Sequence, residues 1–193
     1  MRYLSPIAAS LCIGLGACAS APVHYHTLLA PTSTENSVNK NANLLLTVLP
    51  VIVPRQLDQS NFVVRTGASG VRILEDEQWA APFADELRQA FATLLGARLG
   101  SPDVTGLRYP QGVPVISVTV RIQRLDAWVG REVQLDASWS VTSSQKGRDT
   151  PILGHALIEK SAPGSYDGLV RAEQQAVHDV ALRIADDIVA ARW

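Results

Sequence analysis

Cysteine is nearly absent from this 193-residue chain, and both copies, Cys12 and Cys18, fall within the first 18 residues. Everything after Cys18 therefore lacks a thiol. That excludes a disulfide framework, a cysteine-ligated zinc site and a thiol nucleophile from the body of the protein. A charge of one sign is missing too: 17 Lys and Arg stand against 18 Asp and Glu, a formal net charge of −1. Nothing in that balance favours electrostatic capture of nucleic acid or of an anionic surface, and no nucleic-acid partner is expected. No apolar run is long enough to cross a bilayer as a helix. There is no Gly-x-Ser-x-Gly, no phosphate-cradling glycine loop and no His-Glu-x-x-His. The expectation is a chain without catalytic site, cofactor or metal.

What is present begins at the amino terminus. Arg2 supplies a positive charge, and residues from Pro6 to Leu15 are mostly apolar or small. These are the n-region and h-region of an export signal. The h-region ends on Leu15-Gly16-Ala17-Cys18, which resembles the lipobox of bacterial lipoproteins. The resemblance implies that the Cys18 sulfur receives a diacylglyceryl group, that the chain is cut before it, and that the new amino terminus is acylated. Cys18 is thus the expected lipidation site. Residues 1–17 would be a signal peptide, 18–22 a tether and 23–193 one folded domain. Buried acyl chains contribute about 0.8 kcal/mol per CH₂, so one chain holds marginally and several hold firmly. Ala19, and not Asp, follows the cysteine. By resemblance to enterobacterial lipoproteins this points to the outer membrane, with the domain facing the periplasm.

The domain reads as alternating strands and helices. Val23–Leu29 is strand-prone, and Ala30–Asn43 is a polar loop. Leu44–Val53 is nearly continuous in apolar residues, which suits a strand buried on both faces, with an interruption at Pro50. Pro54–Ser60 is a turn with a short helical piece. Phe62–Arg65 and Val71–Leu74 read as a hairpin joined by Thr66–Gly70. Glu75–Ala81 reads as a leader into a helix. Phe83, Leu87, Phe91, Leu94, Leu95 and Leu99 then form one apolar stripe, with Pro82 in the first turn and Gly100 closing it. After a loop at Pro102–Pro114, Ile116–Ile122 and Val133–Val141 alternate with period two on either side of Gly130-Arg131. Ser143–Thr150 is a turn and Ile152–Ser161 a third strand of that meander. Val177, Val180, Ala181, Ile184 and Ile188 stripe a final helix from about Gly168 to Arg192. This order predicts a single α/β domain: a mixed β-sheet flanked by helices. The polar faces of the meander are clean, so one side of that sheet is open to water or to a partner.

Two segments carry a family resemblance. Val48-Leu49-Pro50-Val51-Ile52-Val53-Pro54-Arg55-Gln56-Leu57-Asp58, followed by Phe62-Val63-Val64-Arg65, resembles the opening of the PqiC/YmbA family, the ABC-type transport auxiliary lipoproteins. Glu77-Gln78-Trp79-Ala80-Ala81-Pro82-Phe83 resembles that family's Trp-Ala-x-Pro entry into its first helix, with Gln78 where Arg is frequent. The likeness spans nearly the whole mature chain. It implies an α/β sandwich similar to the amino-terminal domain of the TolB protein. It also implies an outer-membrane lipoprotein that serves an MCE-type ABC transport system. The expected partners are an MCE-family periplasmic tunnel protein, which it would dock or cap, the outer membrane, and further copies of itself in a homo-oligomeric ring. The alternative is a lipidated periplasmic carrier of a lipid or other ligand, which would need a concave apolar pocket.

Candidate chemical residues are few. His24 and His26 sit two apart and share a strand face, but a metal reading needs a third ligand and none lies nearby in sequence. His155 and His178 are single residues in a strand and a helix. Asp186 and Asp187 are adjacent on a helix and face different ways. Trp79, just before a helix, reads as a packing anchor. Trp128, at a strand end near the Gly130 turn, is a candidate partner or membrane contact.

Overall fold

The computed structural model describes residues 22–30, 44–145, 147 and 150–191. The signal peptide, Cys18, most of the tether and the 31–43 segment lie outside the described residues. The elements run β1 (His24–His26), β2 (Leu45–Val48), a short 3₁₀ turn at Arg55–Leu57, β3 (Asn61–Arg65), β4 (Val71–Trp79), α1 (Phe83–Leu99), β5 (Val115–Trp128), β6 (Glu132–Ser143), β7 (Ile152–Ser161) and α2 (Tyr166–Ala190).

The α/β class is as the sequence predicts, but the strands divide between two mixed sheets. One has the order β1-β4-β3 and the other β2-β5-β6-β7. In each, the first strand is parallel to its neighbour and the remaining pairs are antiparallel. The period-two pattern of the meander sets its register. Ile116, Val118, Val120 and Ile122 pair across to the β6 stretch that carries Ala137, Trp139 and Val141, and all of these are buried. α2 lies across β6 and β7, while α1 packs on β2 and on α2. The helix stripes point into this core: Phe91, Leu87, Leu95 and Ile184 are fully buried, with Val177 and Ile188 close behind.

α1 follows its sequence signals closely. Pro82 precedes it, Asp85 and Glu86 occupy its first turn and Arg98 its last, which suits the helix dipole. Gly100 ends it in the left-handed region at φ 65°, where a Cβ would be strained.

Two segments depart from the sequence reading. Glu75–Trp79 is not a helix leader. It continues β4, which is the central strand of its sheet and so finds ladder partners on both edges. Its inward residues, Leu74, Glu77 and Trp79, are not evenly alternating, which hid the strand. The Leu44–Val53 run is not a strand buried on both faces. β2 covers only Leu45–Val48 and alternates half-buried with buried. Pro50 interrupts it as expected, and Ile52 rejoins β5 by donating to Val120 and accepting from Ile122. Its outer edge is capped by the 102–105 loop, where Leu46 donates to Pro102 and Val104 donates to Leu46.

Candidate functional site

The four-stranded sheet covers its helix side with apolar residues and leaves its other face polar. Gln134, Asp136, Ser138 and Ser140 of β6 lie half-buried there, beside exposed Arg121 and Gln123 of β5. Across β7 the same face carries Leu153 and Leu157, which are 76% and 57% exposed. His155 lies between them and meets Asp136 at 2.7 Å. A shallow depression of about 400 Å³ on this face is bordered by Ile52, Thr119, Arg121 and Leu153. β7 ends the sheet, so its outer edge has no ladder partner among the described residues. A ten-residue edge with two exposed leucines is a template for another chain.

A second cluster joins the first strand to the body. Parallel pairing sets His24 opposite Glu77 and His26 opposite Trp79. The Glu77 carboxylate meets His24 Nδ1 at 3.0 Å through one oxygen and His26 Nε2 at 2.6 Å through the other. Glu77 is buried, and desolvation pushes its pKa up. Its hydrogen bonds and charge interactions with the two histidines outweigh that, so the net shift is downward. The hydrogen bond to Glu77 raises the pKa of His24. No further ligand lies near the histidines in sequence, and it is the fold that brings the Glu77 carboxylate to them. Glu77 is 51 residues from His26 in sequence and adjacent in space. Among the described residues no group of three or more His, Cys, Asp or Glu is arranged to hold a metal ion. The cluster is a hydrogen-bonded clasp. His26 also lies against Phe62, which stacks on Trp79, which in turn meets Phe83. Trp79 is 5% exposed and acts as the packing anchor predicted for it.

Three further carboxylates, Glu86, Asp126 and Glu173, are buried. Asp126 is held between the guanidinium groups of Arg65 and Arg124. Among the described residues no cation lies beside Glu173 of α2, and burial pushes its pKa up to about 8. Its Oε2 finds no hydrogen-bond partner among the described residues. It borders an interior cavity of about 10 Å³ with Phe62, Trp79 and Phe83, room for about one water molecule.

The remaining sequence candidates are scattered. Trp128 is half-buried, with the Arg131 guanidinium over its ring at 5.2 Å. His178 is exposed beside Asp179. Asp186 meets Arg98 at 3.3 Å while Asp187 accepts from Trp139 Nε1 at 2.8 Å, so the two acids do face different ways. No helix among the described residues is long and apolar enough to cross a membrane.

An open sheet face, and an edge with no ladder partner among the described residues, offer a surface for contact. The model of the family described as the ABC-type transport auxiliary lipoprotein component matches residues 26–185. The chain belongs to this family. Its members are lipoproteins that assist transport systems, and this is not an enzyme family. No curated protein sequence matches the chain. A crystal structure of an uncharacterized protein superposes with a TM-score of 0.68 at 21% identity, over 87% of this chain and 99% of the other. One from Xanthomonas campestris superposes with a TM-score of 0.60 at 12% identity, over 88% and 97%. At these identities the two structures establish a shared fold.

Glu77 and Asp126 do not stand out in the sequence, and Glu173, expected off the apolar stripe of α2, is nevertheless buried. Each lies one turn or one strand step from apolar residues that are buried. An acid on such a face was the available signal.

Proposed function

We propose that this family member is an outer-membrane lipoprotein, lipidated at Cys18, that serves as the accessory subunit of an MCE-type ABC transport system. It docks or caps the periplasmic end of a lipid-transport tunnel as a ring of identical copies and performs no catalytic step. The observation that carries this reading is the open face of the four-stranded sheet, with Leu153 and Leu157 exposed beside a β7 edge that has no ladder partner among the described residues. A closed ring needs a heterologous contact between two different surfaces of each copy. Many weak contacts around a ring give firm docking without a large single interface. The lipid supplies attachment, and the domain supplies recognition.

Two experiments test the parts separately. Mass spectrometry of the mature amino terminus should find Cys18 triacylated, and Cys18→Ala should leave an uncleaved or mislocalised precursor. An unmodified terminus starting elsewhere sinks the anchor. A Leu153→Glu, Leu157→Glu double variant should remain folded and anchored yet fail to restore envelope integrity in a strain lacking the protein. Full complementation by that variant sinks the docking face.

A further inference from the structure

A groove of about 490 Å³ is lined by α1, α2, the Leu28–Ala30 segment and Lys160 of β7. Its size lies within the range of about 300–1,000 Å³ typical of small-molecule sites. The two walls differ. α1 contributes Ala90, Thr93, Leu94 and Ala97, spaced three and four apart on one face. α2 contributes Arg171, Gln174, Gln175 and His178 with the same spacing. One wall is mostly apolar and the other, which also includes Asp179, is polar, a pattern that suits an amphipathic molecule lying lengthwise.

The Leu28 side of the groove is pinned in place. Gln174 Nε2 donates to the Thr27 carbonyl at 2.9 Å. The buried Glu86 carboxylate of α1 accepts from the Leu28 amide and the Thr27 hydroxyl, both at 2.8 Å. Segment 27–28 is thereby fastened to both helices, and the groove is formed before any ligand arrives. At the mouth, Lys160 and Asp179 neutralise each other at 2.6 Å. That leaves the exposed Arg171 as the charge with no ion-pair partner among the described residues. The groove also lies close to the anchor along the chain. Leu28 is ten residues from Cys18, so covalent geometry limits their separation to roughly 36 Å.

We propose that the α1–α2 groove binds an anionic membrane phospholipid, one acyl chain against Ala90, Leu94 and Ala97 and the headgroup at Arg171. An apolar wall accepts the chain, the lone guanidinium favours a phosphate headgroup that carries no cation of its own, and Gln174 and Gln175 meet the glycerol oxygens. The site is distinct from the sheet face and uses none of its residues. It goes beyond the docking reading and stands without it.

The test uses the full-length protein in phosphatidylcholine vesicles. The probe is a water-soluble short-chain phosphatidylglycerol carrying a diazirine on its acyl chain, which reaches the groove whether or not the anchor holds. After illumination, adducts are mapped by peptide mass spectrometry. The expected result is labelling concentrated on residues 90–97 and 171–178 and competed by unlabelled phosphatidylglycerol. The phosphatidylcholine version of the probe should label about fivefold less, and Arg171→Glu should lower labelling about fivefold or more. Ala97→Trp, an exposed position whose enlargement fills the groove, should abolish labelling with an unchanged melting temperature. Should Ala97→Trp lose the fold, the surface change Arg171→Glu carries the test alone. Scattered adducts, equal labelling by the two headgroups, labelling indifferent to Arg171→Glu, or no labelling because the groove takes a protein helix instead would each overturn the proposal.

Discussion

The Trp139 indole lies against Gly154 on the neighbouring strand, so close that a Cβ on Gly154 would collide with the ring. The pair sits opposite in the β6–β7 ladder, and Trp139 Nε1 reaches on to Asp187 of α2 at 2.8 Å. One side chain thus ties the four-stranded sheet to the last helix, and only glycine leaves room for it. Gly154→Ala should destabilise the fold by about 1–3 kcal/mol through overpacking. Trp139→Phe should cost about 1 kcal/mol for the hydrogen bond plus the lost ring area. Urea denaturation measures both. A neutral Gly154→Ala would contradict the packing described.

Phe91 is fully buried where α1 meets the core. Phe91→Ala should cost about 3–5 kcal/mol, the range for large-to-small changes that leave a cavity. Denaturation by urea or heat reads it out. A cost below about 1 kcal/mol would mean that the helix presents another face.

Glu173 gives the protein a pH signature. Its pKa is raised from 4.5 to about 8 in the folded state, so the native protein keeps a proton that the unfolded chain releases. Its stabilising effect is complete below pH 4.5 and is lost as pH rises toward 8. At about 1.4 kcal/mol for each pH unit above 4.5, the loss reaches roughly 3 kcal/mol by pH 7. Glu173→Gln keeps the shape and removes the charge. The variant should be more stable than wild type at pH 7, nearly equal to it at pH 4.5, and flatter between. Parallel curves from chemical denaturation at several pH values would show that Glu173 is paired or hydrated.

The clasp on β1 has two limits. Glu77 has a lowered pKa, so its contribution is present above its ordinary value of 4.5 and fades as pH falls through the lowered one. His24 has a raised pKa, so its contribution is present below 6.5 and fades as pH rises through the raised one. Asp76 and Asp167 add negative charge on the same side and favour the protonated histidine. Amide-exchange protection of residues 22–30, corrected for intrinsic rates, should therefore be greatest between about pH 4.5 and 6.5. Glu77→Gln should remove the maximum. Replacing His26, whose side chain is 13% exposed, should loosen β1 more than replacing His24, which is 60% exposed. A pH-independent β1 would contradict the clasp.

Local patterns carried most of the fold. The stripe from Phe83 to Leu99 and the alternation from Val133 to Val141 are periodic over enough residues to name their own elements. The Thr66–Gly70 hairpin and the Gly100 stop are local turn chemistry. What was hidden is non-local. The partition into two sheets depends on which strands pair, and β1 with β4 and β2 with β5 are parallel matches between distant segments. The Glu77 clasp arises only after β1 pairs with β4, and the acidic Glu75-Asp76-Glu77 run disguises that strand. The α1–α2 groove comes from two helices that each look complete alone. The open face of the meander could be read early, because its polar positions alternate as cleanly as its buried ones.

Site-specific photocrosslinking from position 157 in living cells asks whether the open sheet is a contact surface. With a photoreactive residue replacing Leu157, illumination should trap both a second copy of the chain and an MCE-family protein. The same photoreactive residue replacing Gln89, exposed on α1, should trap neither. If position 157 yields only monomer while the transport system is expressed and the protein is anchored, the sheet is not the docking surface and the account is wrong.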